Sequence, residues 1–150
     1  MEIPEFTECG LLPAGVHDCT IPEIEARFCH NEHRSERWAS FLAFLDWASS
    51  LPTAVSYLID GSFVSDKALP NDIDLAVDIT QCDEAAQGAW IGAWAQNSEI
   101  AKNDFRVDFY PFAVGQGSDF SAFFQYVRIE EALRRGLPPT TRKGILKVNL

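Results

Sequence analysis

No run of apolar residues in this chain approaches the ~18–20 that a membrane-crossing helix needs. The first residues, Met1-Glu2-Ile3-Pro4-Glu5, have neither the basic nor the apolar segment of a signal peptide. A cytoplasmic protein with no membrane partner is therefore expected. Cys9, Cys19, Cys29 and Cys82 form no C-x-x-C pair, so the thiols read as reduced, outside any disulfide framework. Cys29, His30 and His33 cluster, but two ligand types in one short segment do not complete a four-ligand zinc site. There are no internal repeats and no low-complexity tracts. Positive charge is scarce: 12 Lys and Arg stand against 22 Asp and Glu, a net charge of −10, which argues against nucleic acid as a partner. The shortage is uneven. Residues 128–150 hold six Lys or Arg against Glu130 and Glu131, and form a basic tail on an acidic body.

Apolar residues make up 47% of the 150 residues, enough for a real core and consistent with one domain. Residues 1–19, broken by Pro4, Gly10, Pro13 and Gly15, read as an extended lead-in. Thr20-Ile21-Pro22-Glu23 is a capping box opening a short helix to about Phe28. A longer helix starts at Asn31 or Ser35 and ends near Ser50. Trp38, Phe41, Leu42, Leu45 and Ala48 form its stripe, and Phe44, Trp47 and Leu51 widen it toward a protein partner. Strands are expected at about 53–60, 73–79, 104–110 and 144–150. A helix at about 84–97 should bury Ala86, Ala89, Trp90, Ala93 and Trp94. A turn at Gly115-Gln116-Gly117 precedes a helix opened by Ser118 or Asp119 that carries Phe120, Phe123, Phe124 and Val127. This order suits an α/β or α+β domain with helices packed on a mixed sheet.

The most informative segment is 59–77. An apolar run ends in Gly61-Ser62, and Asp72-Ile73-Asp74 opens a second one. Alternate residues of a strand share a face, so Asp72 and Asp74 would point the same way, roughly 6–7 Å apart, a span suited to gripping divalent ions. Gly61 allows close approach of backbone to ligand, and a strand ending in Gly-Ser before a helix start aims N–H groups at an anion. Asp108 lies mid-strand between Val107 and Phe109, which fix its direction. Asp104 is the alternative two positions earlier on the same face, and Arg106 between them could pair with either.

The pattern Gly61-Ser62 followed by Asp72-x-Asp74 resembles the signature of the polymerase-β-like nucleotidyltransferase superfamily. Asp60 departs from it, because an apolar residue is usual before the glycine. The resemblance implies a nucleotidyltransferase-like fold, with Asp72, Asp74 and Asp108 as catalytic carboxylates holding two Mg²⁺ ions. It implies Gly61 and Ser62 as nucleotide-binding residues, with Lys67 within reach of a phosphate and a nucleoside triphosphate as substrate. The small size and the lack of a nucleic-acid module look like the minimal bacterial members, some of which are antitoxins that attach AMP to a toxin, often of the HEPN type. The expected function is transfer of NMP, with AMP favoured, to a protein or small-molecule hydroxyl. Two alternatives stand beside it: an inactive nucleotide- or toxin-binding module on the same fold, and a domain whose aspartates bind a structural cation.

Overall fold

The computed structural model describes residues 3–115 and 119–150. Strands β1 (Gly15–Asp18), β2 (Ser56–Asp60), β3 (Ile73–Asp78), β4 (Val107–Phe112) and β5 (Gly144–Asn149) form one mixed sheet in the order β1-β5-β2-β3-β4. The outer pairs β1–β5 and β3–β4 are parallel, and β2 runs antiparallel to both its neighbours. Helices α1 (Ile21–Phe28), α2 (Glu32–Ala48), α3 (Glu84–Ile100), α4 (Phe120–Phe123) and α5 (Ile129–Arg135) complete an α+β fold. Among the described residues no helix is long and apolar enough to cross a membrane.

The two faces of the sheet are unequal. Ile59, Ile73, Leu75, Val77, Val107, Phe109, Leu146 and Val148 point to one face, where they meet Ile24 and Phe28 of α1, Trp38, Phe41 and Phe44 of α2, and Trp90 of α3. Each large side chain fully buried there is worth about 1.5–3 kcal/mol, so this face carries most of the stability. The other face holds a smaller cluster of Leu58, Ala76, Phe112, Phe124 and Ile145. The apolar cover on this second face leaves room for polar groups at its end.

Local chemistry fixes several boundaries. Thr20 caps α1 through its hydroxyl, which accepts from the Glu23 N–H at 3.3 Å. Asn31, rather than Ser35, caps α2 by accepting from the Arg34 N–H at 2.8 Å. Asp83 caps α3.

Other expectations are corrected. Part of the lead-in forms β1, whose Gly15-Val-His-Asp carries too little apolar pattern to be read as a strand. It docks because the Gly144 N–H donates to Leu12 O at 2.9 Å, and a Cβ on Gly144 would stand 2.1 Å from Pro13 O. Helix α3 runs past 97 into a π-helical turn, Ala101–Phe105, closed by Arg106 in the left-handed conformation at φ 57°. Asp104 and Phe105 are therefore helical and β4 starts at Val107. Of the face expected for α3 only Trp90 is buried, and Trp94 is exposed. The helix rests on the sheet along one line, where Trp90 packs on Phe109 and donates to Pro52 O at 2.7 Å. The surplus stripe of α2 is spent internally: Phe44 is fully buried, Trp47 packs on Phe105 and Phe109, and Leu51 adjoins the same core. The single helix expected after Asp119 is two, α4 and α5, separated at Phe124–Arg128. Gln116, Gly117 and Ser118, where a turn and one helix start were expected, lie outside the described residues.

Among the described residues the most heavily bonded polar side chain is that of Arg34, with no exposed surface. Its guanidinium donates to the carbonyls of Phe28 (3.3 Å), Phe63 (2.7 Å), Ser65 (2.7 Å) and Lys67 (2.5 Å). Five fixed donors matched to carbonyls are what an arginine supplies and a lysine does not. Arg34→Met is expected to leave these carbonyls unpaired and cost about 3 kcal/mol or more, a fall in melting temperature of roughly 6–12 °C. A loss below about 0.5 kcal/mol in chemical denaturation, the range of an ordinary surface substitution, would contradict this role.

Candidate active site

The register of the sheet brings three aspartates into one row. Asp60, the last residue of β2, pairs with Asp74 of β3, and Asp74 pairs with Asp108 of β4. Neighbouring strands lie about 4.8 Å apart, so each carboxylate is the next one's neighbour. All three share the face of Leu58 and Ala76, because each sits an even number of residues from a member of that cluster. Asp72 directly precedes β3, two residues before Asp74, on the same side. Asp104 lies in the π-helical turn and not in the strand, so Asp108 is the aspartate beside the Asp-x-Asp pair.

Burial, then the charges of Asp60, Asp72 and Asp108, push Asp74 up to about 7, and the Arg128 charge opposes them. Burial also raises Asp60, against the pull of Lys143, whose Nζ lies 2.9 Å from Asp60 Oδ1. Tyr110, two residues along β4, donates its hydroxyl to Asp108 Oδ2 at 2.8 Å, and burial with this bond holds the phenol well above its ordinary range. Lys102 Nζ approaches the same oxygen to 4.0 Å from a largely exposed position.

Gly61 is required where it stands. Its φ is +95°, and a Cβ there would lie 2.8 Å from Asp74 Oδ2. The chain then enters a 3₁₀ turn, Ser62–Val64, whose following loop is braced on several sides. Ser65 Oγ donates to Ser62 O at 2.7 Å, and Arg34 holds the carbonyls beyond. The start of α2 grips the loop further on: Asn31 Nδ2 donates to Ala68 O at 2.8 Å, and His33 Nε2 lies 2.6 Å from Pro70 O. Arg135 Nη1 meets Asp66 Oδ1 at 2.9 Å. The stretch between Gly61 and Asp72 is thus a framed loop. Lys67, expected near a phosphate, takes part in the frame through its carbonyl to Arg34 and its N–H to Ser65 Oγ. Arg106 serves through its backbone, accepting from the Ile73 N–H at 3.0 Å.

The donors of the row are all carboxylate oxygens, which suit Mg²⁺, an ion commonly held by one or two carboxylates together with substrate phosphates. Gly61 sets no Cβ against Asp74 Oδ2. The residues therefore fit such an ion. Among the described residues, however, no three His, Cys, Asp or Glu side chains close into a metal-holding group by themselves. His33 is committed to the loop, and the four cysteines are free thiols.

Residues 4–149 match the profile described as a family of unknown function, DUF6932. The chain belongs to that family. No curated protein and no solved structure matches it. In this DUF6932 chain, reading the sequence missed Asp60, Lys143, Tyr110 and Arg34 as parts of the site or its frame. Asp60 had one available signal, since it alternates with Ser56 and Leu58. The long loop before β3 leaves the pairing register open, so Asp60 could not be set opposite Asp74 in advance.

The pH behaviour follows from Asp74. A carboxyl titrates near ~4 when unfolded, so the folded chain holds this proton more tightly. The group favours the fold below about pH 4 and withdraws that stability as pH rises toward 7. Without divalent ions, this withdrawal should amount to about 2–4 kcal/mol. Asp74→Asn should flatten the dependence and, in chelator at about pH 8, be more stable than wild type by about 2 kcal/mol. Denaturant titrations across this range check it, and a variant less stable than wild type under those conditions would contradict it.

Proposed function

We propose that this protein is a metal-dependent nucleotidyltransferase of the polymerase-β-like type. It moves NMP, with AMP favoured, from a nucleoside triphosphate to a hydroxyl of a protein or small molecule. The observation that carries this reading is the pairing of Asp74 with Asp108 across adjoining strands, with Asp72 two residues before Asp74 and Gly61 against the Asp74 carboxylate. Gly-Ser, Asp-x-Asp and a third aspartate are the three parts of the resemblance, and here they occupy one end of one sheet face.

In this reading Asp72, Asp74 and Asp108 hold Mg²⁺, which supplies charge neutralisation for the attacking and leaving oxygens of an in-line displacement. Gly61 and Ser62 bind the phosphates. The acceptor oxygen forms its bond to the α-phosphorus as the bond to the bridging oxygen breaks, pyrophosphate leaves, and the hydroxyl proton passes to the Asp108 carboxylate. Tyr110 orients Asp108 through its hydrogen bond. A protein acceptor, as in antitoxins that modify HEPN-type toxins, is supported by exposed apolar side chains on and between α4 and α5: Phe123, Tyr126, Ile129 and Leu133. They replace the α2 stripe as the surface available to a partner.

A second reading has support of its own. The Lys143 counter-ion on Asp60, beside the Asp-x-Asp pair, suits a module that binds a nucleotide or a toxin without chemistry. Incubation with each labelled nucleoside triphosphate, Mg²⁺ and the co-expressed neighbouring gene product, followed by intact mass measurement, separates the two. Added NMP mass with wild type and none with Asp74→Asn is expected. Mg²⁺ with triphosphate at about 100 times its dissociation constant should also stabilise the fold by ~2.7 kcal/mol. Stabilisation without transfer would favour the binding module, and neither effect with any of the four triphosphates would sink both readings.

A further inference from the structure

Asp60 has no part in the transfer reaction proposed above, yet it occupies the costliest place in the sheet for a charge. It is 6% exposed, at the end of a strand whose other buried residues, Ser56, Leu58 and Ile59, carry no charge, and directly opposite Asp74. An unpaired carboxylate so placed meets both desolvation and like-charge repulsion. Lys143 answers it at 2.9 Å, itself only 17% exposed. The lysine is held in place by its backbone: its N–H donates to Gln125 O at 2.8 Å, and the next N–H, of Gly144, donates to Leu12 O at 2.9 Å. A simple tether between β2 and β5 could be built from apolar side chains at far less cost. A buried pair with its carboxylate in register with Asp74 has electrostatic consequences that an apolar contact lacks.

We propose that Asp60 and Lys143 are a positioning pair for the cation site: Asp60 keeps the lysine charge directed away from Asp74, and so leaves Asp74 available to a divalent ion that neither member of the pair touches. The inference rests on the reading of Asp74 as a metal-holding residue. It gives substitutions of opposite sign. Asp60→Asn frees the Lys143 charge to face Asp74, so an ion must compete with an internal cation. Lys143→Met leaves a second carboxylate charge beside Asp74 and draws an ion in. Removing both returns the local charge to that of the intact pair.

Mn²⁺ alone serves as the probe, titrated by electron paramagnetic resonance against the full chain, with circular dichroism to confirm folding. Asp60→Asn should weaken Mn²⁺ binding by about tenfold or more, and Lys143→Met should tighten it several-fold. Lys143→Arg should match wild type, and the double variant Asp60→Asn/Lys143→Met should return to within about threefold of it. Should Asp60→Asn fail to fold, the opposite sign for Lys143→Met and the recovery in the double variant still decide. Equal binding by all variants, or weakening by both single changes, would make the pair a structural tether and overturn the inference alone. A double variant as weak as Asp60→Asn would make Asp60 a direct ligand and overturn it as well. No Mn²⁺ binding by wild type, even with a non-hydrolysable nucleoside triphosphate present, would overturn the cation-site reading, and the pair's role with it.

Discussion

Like charges in register are the constraint on which this structure turns. Pairing β2 with β3 and β3 with β4 sets Asp60, Asp74 and Asp108 side by side. Two carboxylates about 5 Å apart near a protein surface repel by about 3 kcal/mol. Two such terms are a large part of the ~5–15 kcal/mol by which a domain is stable. They cannot stand unanswered, and each is answered differently. Asp60 has a half-buried lysine, Asp108 has a phenol and a distant lysine, and Asp74, in the middle, holds its proton more tightly, with its pKa raised to about 7. The central carboxylate, the one least provided with an internal partner, is also the one beside Gly61.

The rest of the fold makes this arrangement tolerable. A thick aromatic core on the opposite face supplies the free energy, with Phe44, Trp47, Phe105 and Phe109 packed together and Trp90 against Phe109. The loop after Gly61 is fixed from three directions, by Arg34 beneath it, by Asn31 and His33 at the start of α2, and by Arg135 of α5. A buried guanidinium spent on carbonyls, with no carboxylate partner among the described residues' hydrogen bonds to it, is costly, and burial lowers its pKa. It sets the backbone between the two motifs, the segment that must keep its shape if it is to meet a phosphate. Order at the loop and repulsion in the row are thus complementary: a rigid frame holds charges where a flexible one would let them separate.

Much of this was legible in the sequence, and the reasons for the remainder are physical. Caps at Thr20 and Asp83 are local chemistry and could be read directly, whereas the choice of Asn31 over Ser35 needed the structure. The strands around Leu58, Leu75 and Val148 carry enough β-branched and apolar pattern to be found. β1 could not be found, because a parallel edge strand stabilised by backbone bonds to β5 needs little apolar signal of its own. Phe44, Trp47 and Leu51 looked like surplus only because the π-helical turn that places Phe105 against them is invisible to periodicity. At the site, Asp72, Asp74 and Asp108 follow from pattern and resemblance, whereas Asp60 and Lys143 depend on strand register across long loops, which no local pattern determines.

The most direct measurement is anomalous diffraction from crystals grown with Mn²⁺ and a non-hydrolysable nucleoside triphosphate. The account predicts an anomalous peak between the carboxylates of Asp74 and Asp108, with the phosphates against Gly61 and Ser62 and the Asp60–Lys143 pair intact. Nucleotide bound elsewhere, or a row of aspartates that binds no ion with the triphosphate present, would contradict it.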